Sequence, residues 1–163
     1  MLSLLLLLSA TTADTPRDLY LRGQYTEAAE QFAALAEAQP VEAAVGQAKC
    51  LRAEGKDDEA EKLLRAALAK NEDSAPIMAE LAQVAFDRGD YAESQKQTDA
   101  AIKANATNCP ARWVAAELHR VHGRVTEAKQ GYRWFFEHYN RTVKFTSADN
   151  VYWCGRGIAQ YAR

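Results

Sequence analysis

Apolar and small residues return along this chain at helical spacing, and the spacing itself recurs. Four segments align on a glycine. They are Gly23-Gln24-Tyr25-Thr26-Glu27-Ala28 followed by Phe32, and Gly55-Lys56-Asp57-Asp58-Glu59-Ala60 followed by Leu64. Then come Gly89-Asp90-Tyr91-Ala92-Glu93-Ser94 followed by Thr98, and Gly123-Arg124-Val125-Thr126-Glu127-Ala128 followed by Tyr132. The glycines are separated by 32, 34 and 34 residues, a period that marks stacked structural units. Each glycine predicts the end of a helix, because a left-handed turn costs little without a Cβ. The next helix opens around Asp57 or Tyr91. A small residue one turn in lets two helices approach, and the larger residue a turn later fills the gap between units. Upstream of each glycine lies another stripe of small and apolar residues: Ala44, Ala48 and Leu51, then Met78, Ala82 and Ala85, then Ala115 and Ala116. Each unit is therefore predicted to be two antiparallel helices that need their neighbours to bury a shared core.

The pattern Gly-x-Tyr/Asp-x-Glu-Ala followed by a large residue resembles the second half of the tetratricopeptide repeat. The first half is weaker, with Ala44, Gln47, Ala48 and Leu51 in the second unit and Met78, Leu81, Ala82 and Ala85 in the third. The resemblance covers roughly residues 15–140. It implies an all-α fold, an α-solenoid of antiparallel helix pairs wound as a right-handed superhelix. Units are expected at about 14–40, 41–74, 75–108 and 109–140, with Pro40 closing the first. Residues 141–163 are expected to hold a linker and the start of a further helix. There Ser147 is the N-cap and Trp153-x-x-Arg156-Gly157 matches the next unit.

Composition fits this reading. The chain has 163 residues, with 32 Ala against 8 Gly and 4 Pro, which favours helix throughout. No stretch reaches the roughly 18 to 20 apolar residues that span a bilayer. Residues 1–13 form an apolar run followed by small residues, and Thr11-x-Ala13 fits a signal-peptidase site. Export to the periplasm or the extracellular space is expected, with the cytoplasm as the alternative. Cleavage after Ala13 would leave only about Thr15 to Arg22 as the leading helix of the first unit. Nine of the 15 aromatic residues fall between Tyr132 and Tyr161. The sequence ends at Arg163 with no capping glycine and no polar closing helix, so we expect it to be the N-terminal part of a longer exported chain.

The net charge of −2 divides unevenly, −7 over residues 1–108 and +5 over residues 109–163. The C-terminal cations are dispersed along helices, so nucleic acid is not an expected partner. Their excess could complement the acidic half of a second copy, which suggests a homodimer. Cys50, Cys109 and Cys154 are far apart and show no metal-ligand or disulfide spacing, so no metal site and no cofactor are expected, and the thiols read as small buried residues. His119 and His122 share a spacing that can bind metal, but they read as ordinary residues near a helix end. No H-E-x-x-H, G-x-S-x-G, phosphate-binding loop or glycine-rich nucleotide turn occurs, and no catalytic residue is assigned.

The resemblance implies a binding scaffold whose first helices line a concave groove that takes a protein or peptide segment. With the small residues in the core, the opposite helix faces carry Lys49 and Arg52 (beside Val45), then Glu80, Gln83 and Phe86, then Trp113, Glu117 and Arg120. Trp113 is the strongest expected hot spot, since Trp is enriched there, although Val114, Leu118 and Val121 could draw it into a core stripe. Family members that grip the acidic tails of heat-shock chaperones use Lys, Asn and Arg around one carboxylate. Here no Asn joins Lys49 and Arg52, and Glu80 and Glu117 would repel such a tail. The alternative reading is a substrate-positioning or docking module of a larger exported hydrolase or peptidase whose catalytic part lies beyond residue 163.

Overall fold

A computed structural model describes residues 14–142, 144, 145 and 147–163. The expected leader, residues 1–13, lies outside the described residues. Nine helices follow one another among them: α1 (Pro16–Leu21), α2 (Tyr25–Ala34), α3 (Pro40–Ala53), α4 (Asp57–Leu68), α5 (Ala75–Asp87), α6 (Tyr91–Ala104), α7 (Cys109–Val121), α8 (Val125–Arg141) and α9 (Ala148–Tyr161). No strand is present among the described residues, and no helix there is long and apolar enough to cross a membrane.

The four aligned glycines occupy equivalent bends. Gly23, Gly55, Gly89 and Gly123 have φ of 80°, 76°, 79° and 72°, the left-handed region where a Cβ would be strained. At each, the glycine N–H donates to the carbonyl three residues back, and the following N–H donates to the carbonyl five back. Gly55 donates to Arg52 and Lys56 to Leu51; Gly123 donates to Arg120 and Arg124 to His119. This doubled closure satisfies carbonyls left without partners at the end of each first helix and reverses the chain into the second.

Prolines mark the other end of each hairpin. Pro16, Pro40, Pro76 and Pro110, the full complement of the chain, sit in the first turn of α1, α3, α5 and α7. There the missing N–H has no intrahelical partner to lose, and the fixed φ suits helix entry. Pro40 thus opens α3 and does not close the preceding unit. Helix α9 lacks a proline and is capped by Ser147, whose hydroxyl accepts from the Asp149 amide. Helix α1 has only 6 residues, held by a capping box between Thr15 and Asp18.

Within units α1 packs on α2, α3 on α4, α5 on α6 and α7 on α8, and each second helix from α2 onward packs on the next first helix. First helices also touch in series, α1 on α3, α3 on α5, α5 on α7 and α7 on α9, whereas no second helix packs on another among the described residues. The first helices therefore form a continuous inner layer and the second helices a spaced outer one. This is an α-solenoid, with α9 in the first-helix position of a fifth unit.

Two glycines let this layer close tightly. A Cβ on Gly46 would lie 2.3 Å from the ring of Phe32, and one on Gly157 would lie 2.3 Å from the ring of Phe135. In both cases a ring from a second helix rests directly on the backbone of the following first helix. Ser94, standing where the other units have Ala, is fully buried and donates its hydroxyl proton to the Ala82 carbonyl at 2.9 Å. The hydroxyl is tolerated in the core because it has that acceptor.

Candidate functional site

The inner layer encloses a groove of about 1160 Å³. Arg17 and Tyr20 of α1, Val45, Lys49 and Arg52 of α3, and Ala79, Glu80, Gln83 and Asp87 of α5 line one side. Asp149, Tyr152, Trp153 and Arg156 of α9 line the other, with α7 contributing Pro110. The α3 and α5 residues belong to one helical face each, flanking the buried stripe that includes Ala44, Ala48 and Met78.

Of the residues expected to face a groove, Lys49, Arg52, Glu80 and Gln83 are brought together there. Phe86, Trp113, Glu117 and Arg120 are not among its lining residues. Phe86 turns toward Tyr91, with ring centroids 5.6 Å apart, and packs on the C-terminal core. Trp113 is 6% exposed and lies among Tyr132, Phe135 and Trp153 at centroid distances of 5.7, 6.4 and 5.9 Å. It is a core residue, so its reading as an exposed hot spot is corrected. The physical reason is α9, which packs on α7 and covers the face that would otherwise look into the groove. Glu117 is buried too, accepting from the Tyr132 hydroxyl at 2.5 Å and from Arg120 Nη2 at 2.7 Å. Burial, then the bond to Glu117, raises the pKa of the Tyr132 phenol. Arg120 is exposed and held by that pair.

The electrostatics of the groove are organised by ion pairs between helices. Arg52 reaches from α3 to Glu80 and Asp87 on α5. Burial opposes its charge, but the two carboxylates outweigh burial and raise its pKa. Asp149, in the first turn of α9, binds Arg17 Nη2 of α1 at 2.7 Å and Lys49 Nζ of α3 at 3.6 Å. The first and last described helices are thus tied across the groove mouth. Arg156 has its guanidinium 4.1 Å above the Trp113 ring and 5.4 Å from that of Trp153, and makes no ion pair among the described residues. It presents donors toward the groove from an aromatic shelf.

Arg17, Asp149 and Tyr152 were not among the residues expected in the groove. The Ser147 cap signalled a helix, but nothing local indicated that this helix would cross the inner face. Elsewhere, the histidine pair at the end of α7 is not assembled with other metal ligands among the described residues: His122 Nδ1 lies 2.6 Å from the Leu118 carbonyl, and the His122 ring meets Tyr91 edge-on. Cys109 and Cys154, remote in sequence, lie together with His138 beneath α9. Burial pushes the Cys109 thiol up to about 12 and that of Cys50 up to about 11.

These arrangements agree with comparisons to known proteins. Family models described as "Tetratricopeptide repeat" match residues 17–75 and 51–118, together more than half of the chain. No curated protein is a sequence match. Among solved structures, the chain is similar to TTC0263, a thermophilic TPR protein of Thermus thermophilus. That similarity has a TM-score of 0.68 and 18% identity, over 88% of this chain and 78% of that one. It is similar to a tetratricopeptide repeat protein from Parabacteroides merdae, at TM-score 0.57 and 16% identity over 90% of this chain and 59% of that one. It is also similar to MamA, at TM-score 0.55 and 18% identity over 74% of this chain and 71% of that one. At these identities the likeness speaks to the fold. With four glycine bends in register, helices stacked in two layers and family models matched over residues 17–118, the chain belongs to the tetratricopeptide repeat family.

Proposed function

We propose that this chain is a non-catalytic scaffold that holds a protein or peptide segment in the groove between α3, α5 and α9. The observation that carries the reading is the lining itself. Lys49 and Arg52 of α3 set two cations beside the Glu80 and Asp87 carboxylates of α5 along one wall, while Tyr152, Trp153 and Arg156 form an aromatic and cationic wall opposite. A mixed-charge segment with one apolar side chain suits that surface, the rings supplying contact area and the charges fixing its register. The apolar run at residues 1–13 supports export of the scaffold.

A photo-crosslinking side chain placed at Gln83 should capture the bound segment, and one placed at the exposed Lys62 of α4 should not. Once that segment is synthesised, Lys49→Ala and Arg156→Ala should each weaken its binding by about tenfold, as expected for loss of an interfacial contact worth about 1.4 kcal/mol. Binding unaffected by both substitutions would remove the groove from the account.

The alternative role, a docking module for a larger exported hydrolase or peptidase, is supported by a separate observation. Phe136, Tyr139 and Tyr161 are exposed on α8 and α9. A full-length chain in which these rings are shielded from solvent quenchers would favour that role.

A further inference from the structure

Two thiols and an imidazole converge where α7, α8 and α9 meet. Cys109 is the first residue of α7, His138 lies in the last turn of α8, and Cys154 sits midway along α9. One ligand atom from each, two Sγ and a ring nitrogen, lie within 4.8 Å of one another. Both cysteines are 0% exposed and His138 is partly buried. Cys109 Sγ donates to the Thr107 carbonyl at 3.7 Å. The His138 ring stacks on Trp134, with centroids 4.6 Å apart and planes 9° from parallel, and meets Phe145 edge-on at 6.1 Å. Its direction is thus set by aromatic packing.

Tetrahedral zinc, with bonds of about 2.3 Å to sulfur and about 2.0–2.1 Å to nitrogen, holds its ligand atoms about 3.5–3.8 Å apart. The three atoms need to close by little more than about 1 Å to meet that geometry. Charge also selects the ion. Two thiolates cancel a dication, so the loaded site carries no net charge in a core where an unbalanced one would be costly. A monovalent copper ion would leave one negative charge there. Magnesium and calcium require oxygen ligands.

We propose that Cys109, Cys154 and His138 bind one zinc ion, which staples α9 to α7 and α8. Each thiol releases its proton to solvent on coordination, the imidazole binds in its neutral form, and a water completes the four-coordinate set. The ion links the helix carrying Asp149, Trp153 and Arg156 to the rest of the array, so it also fixes one wall of the groove. Cys50 supplies an internal control. It packs with Leu19, Ala28 and Phe32, and belongs to no such ligand group among the described residues.

The test uses the reduced full chain, titrated with zinc against a chromophoric chelator and separately with cobalt. One zinc per chain is expected, together with a near-ultraviolet thiolate-to-cobalt band and a rise in Tm on loading. Cys109→Ser, Cys154→Ser and His138→Phe should each lower zinc affinity at least about 100-fold, a larger loss than outer-shell substitutions produce. Cys50→Ser should leave it unchanged. His138→Phe keeps the stacking on Trp134, so the loss can be read in a folded protein. Absence of the cobalt band in the wild-type chain would overturn the proposal whatever the variants do. So would isolation of the native chain with Cys109 and Cys154 joined as a disulfide, lighter by two hydrogens and unable to take up zinc until reduced.

Discussion

From α3 to α5 the helices cross on aliphatic residues, with Ala48, Ala60, Leu64, Ile77, Leu81 and Val84 forming one cluster. From α7 to α9 the same geometry is filled by rings. Trp113, Tyr132 and Phe135 are buried, with Phe86, Trp134, Phe145 and Trp153 packed around them. The aliphatic half supplements its close approach with charged ties between units: Arg52 to Glu80 and Asp87, Arg88 to Asp58 and Glu61, and Arg65 to Glu93. The aromatic half relies on shape, with Arg112 and Arg156 placed over indole rings. One backbone plan thus tolerates two chemistries, and the two should fail in different ways.

The largest effect should come from the aromatic end. Phe135 is fully buried and rests on Gly157, so Phe135→Ala should cost about 3–5 kcal/mol in urea unfolding. The reciprocal change, Gly157→Ala, would drive a methyl into the ring and should cost about 1–3 kcal/mol. An equal or smaller loss than that of an exposed control such as Phe136→Ala would erase the contrast between the regions.

In the aliphatic half the sensitive element is ionic. Arg52→Ala leaves the buried Glu80 carboxylate without its cation and should cost up to about 3 kcal/mol, less than for a fully enclosed pair because Asp87 is open to water. Most of that cost should persist in high salt, since the pair is largely buried.

A pH titration sharpens the comparison. Burial raises the Cys50 thiol from 9.0 to about 11, so the folded chain keeps a proton that the unfolded chain has lost. The contribution is complete below pH 9 and disappears as pH climbs toward 11, a loss on the order of 2–3 kcal/mol. Cys50→Ala should flatten that part of the alkaline limb.

Tyr132→Phe should cost about 1–3 kcal/mol, because Glu117 then keeps the exposed Arg120 but loses its buried donor. Asp149→Asn should change stability by less than about 1 kcal/mol, since its pairs with Arg17 and Lys49 are partly exposed.

Much of this architecture was legible from local chemistry. A glycine in a left-handed bend must be marked in the sequence, and its hydrogen-bond closure involves only residues three and five back. The Ser147 cap is equally local. The prolines carry the same kind of signal, since a residue without an N–H belongs in the first turn. Pro40 was expected at the close of a unit, and that signal points instead to the helix start found there. What escaped depends on the path of α9. Trp113 shares a helix with residues that face outward, and rings from two later helices, Tyr132 and Phe135 of α8 and Trp153 of α9, make it a core residue. Cys109, His138 and Cys154 meet for the same reason. Their separations of 29 and 16 residues match no local ligand pattern, and three stacked helices are needed to bring them together.

The equivalence of the bends at Gly55 and Gly89 has a consequence for descent. Excising residues 55–88 would splice Glu54 to Gly89, placing a glycine of the same conformation after a helix of the same class. The open reading frame can therefore shorten or lengthen by whole hairpins without inventing a new joint. Copy number becomes a heritable variable, constrained chiefly by the side chains that must meet across each new seam.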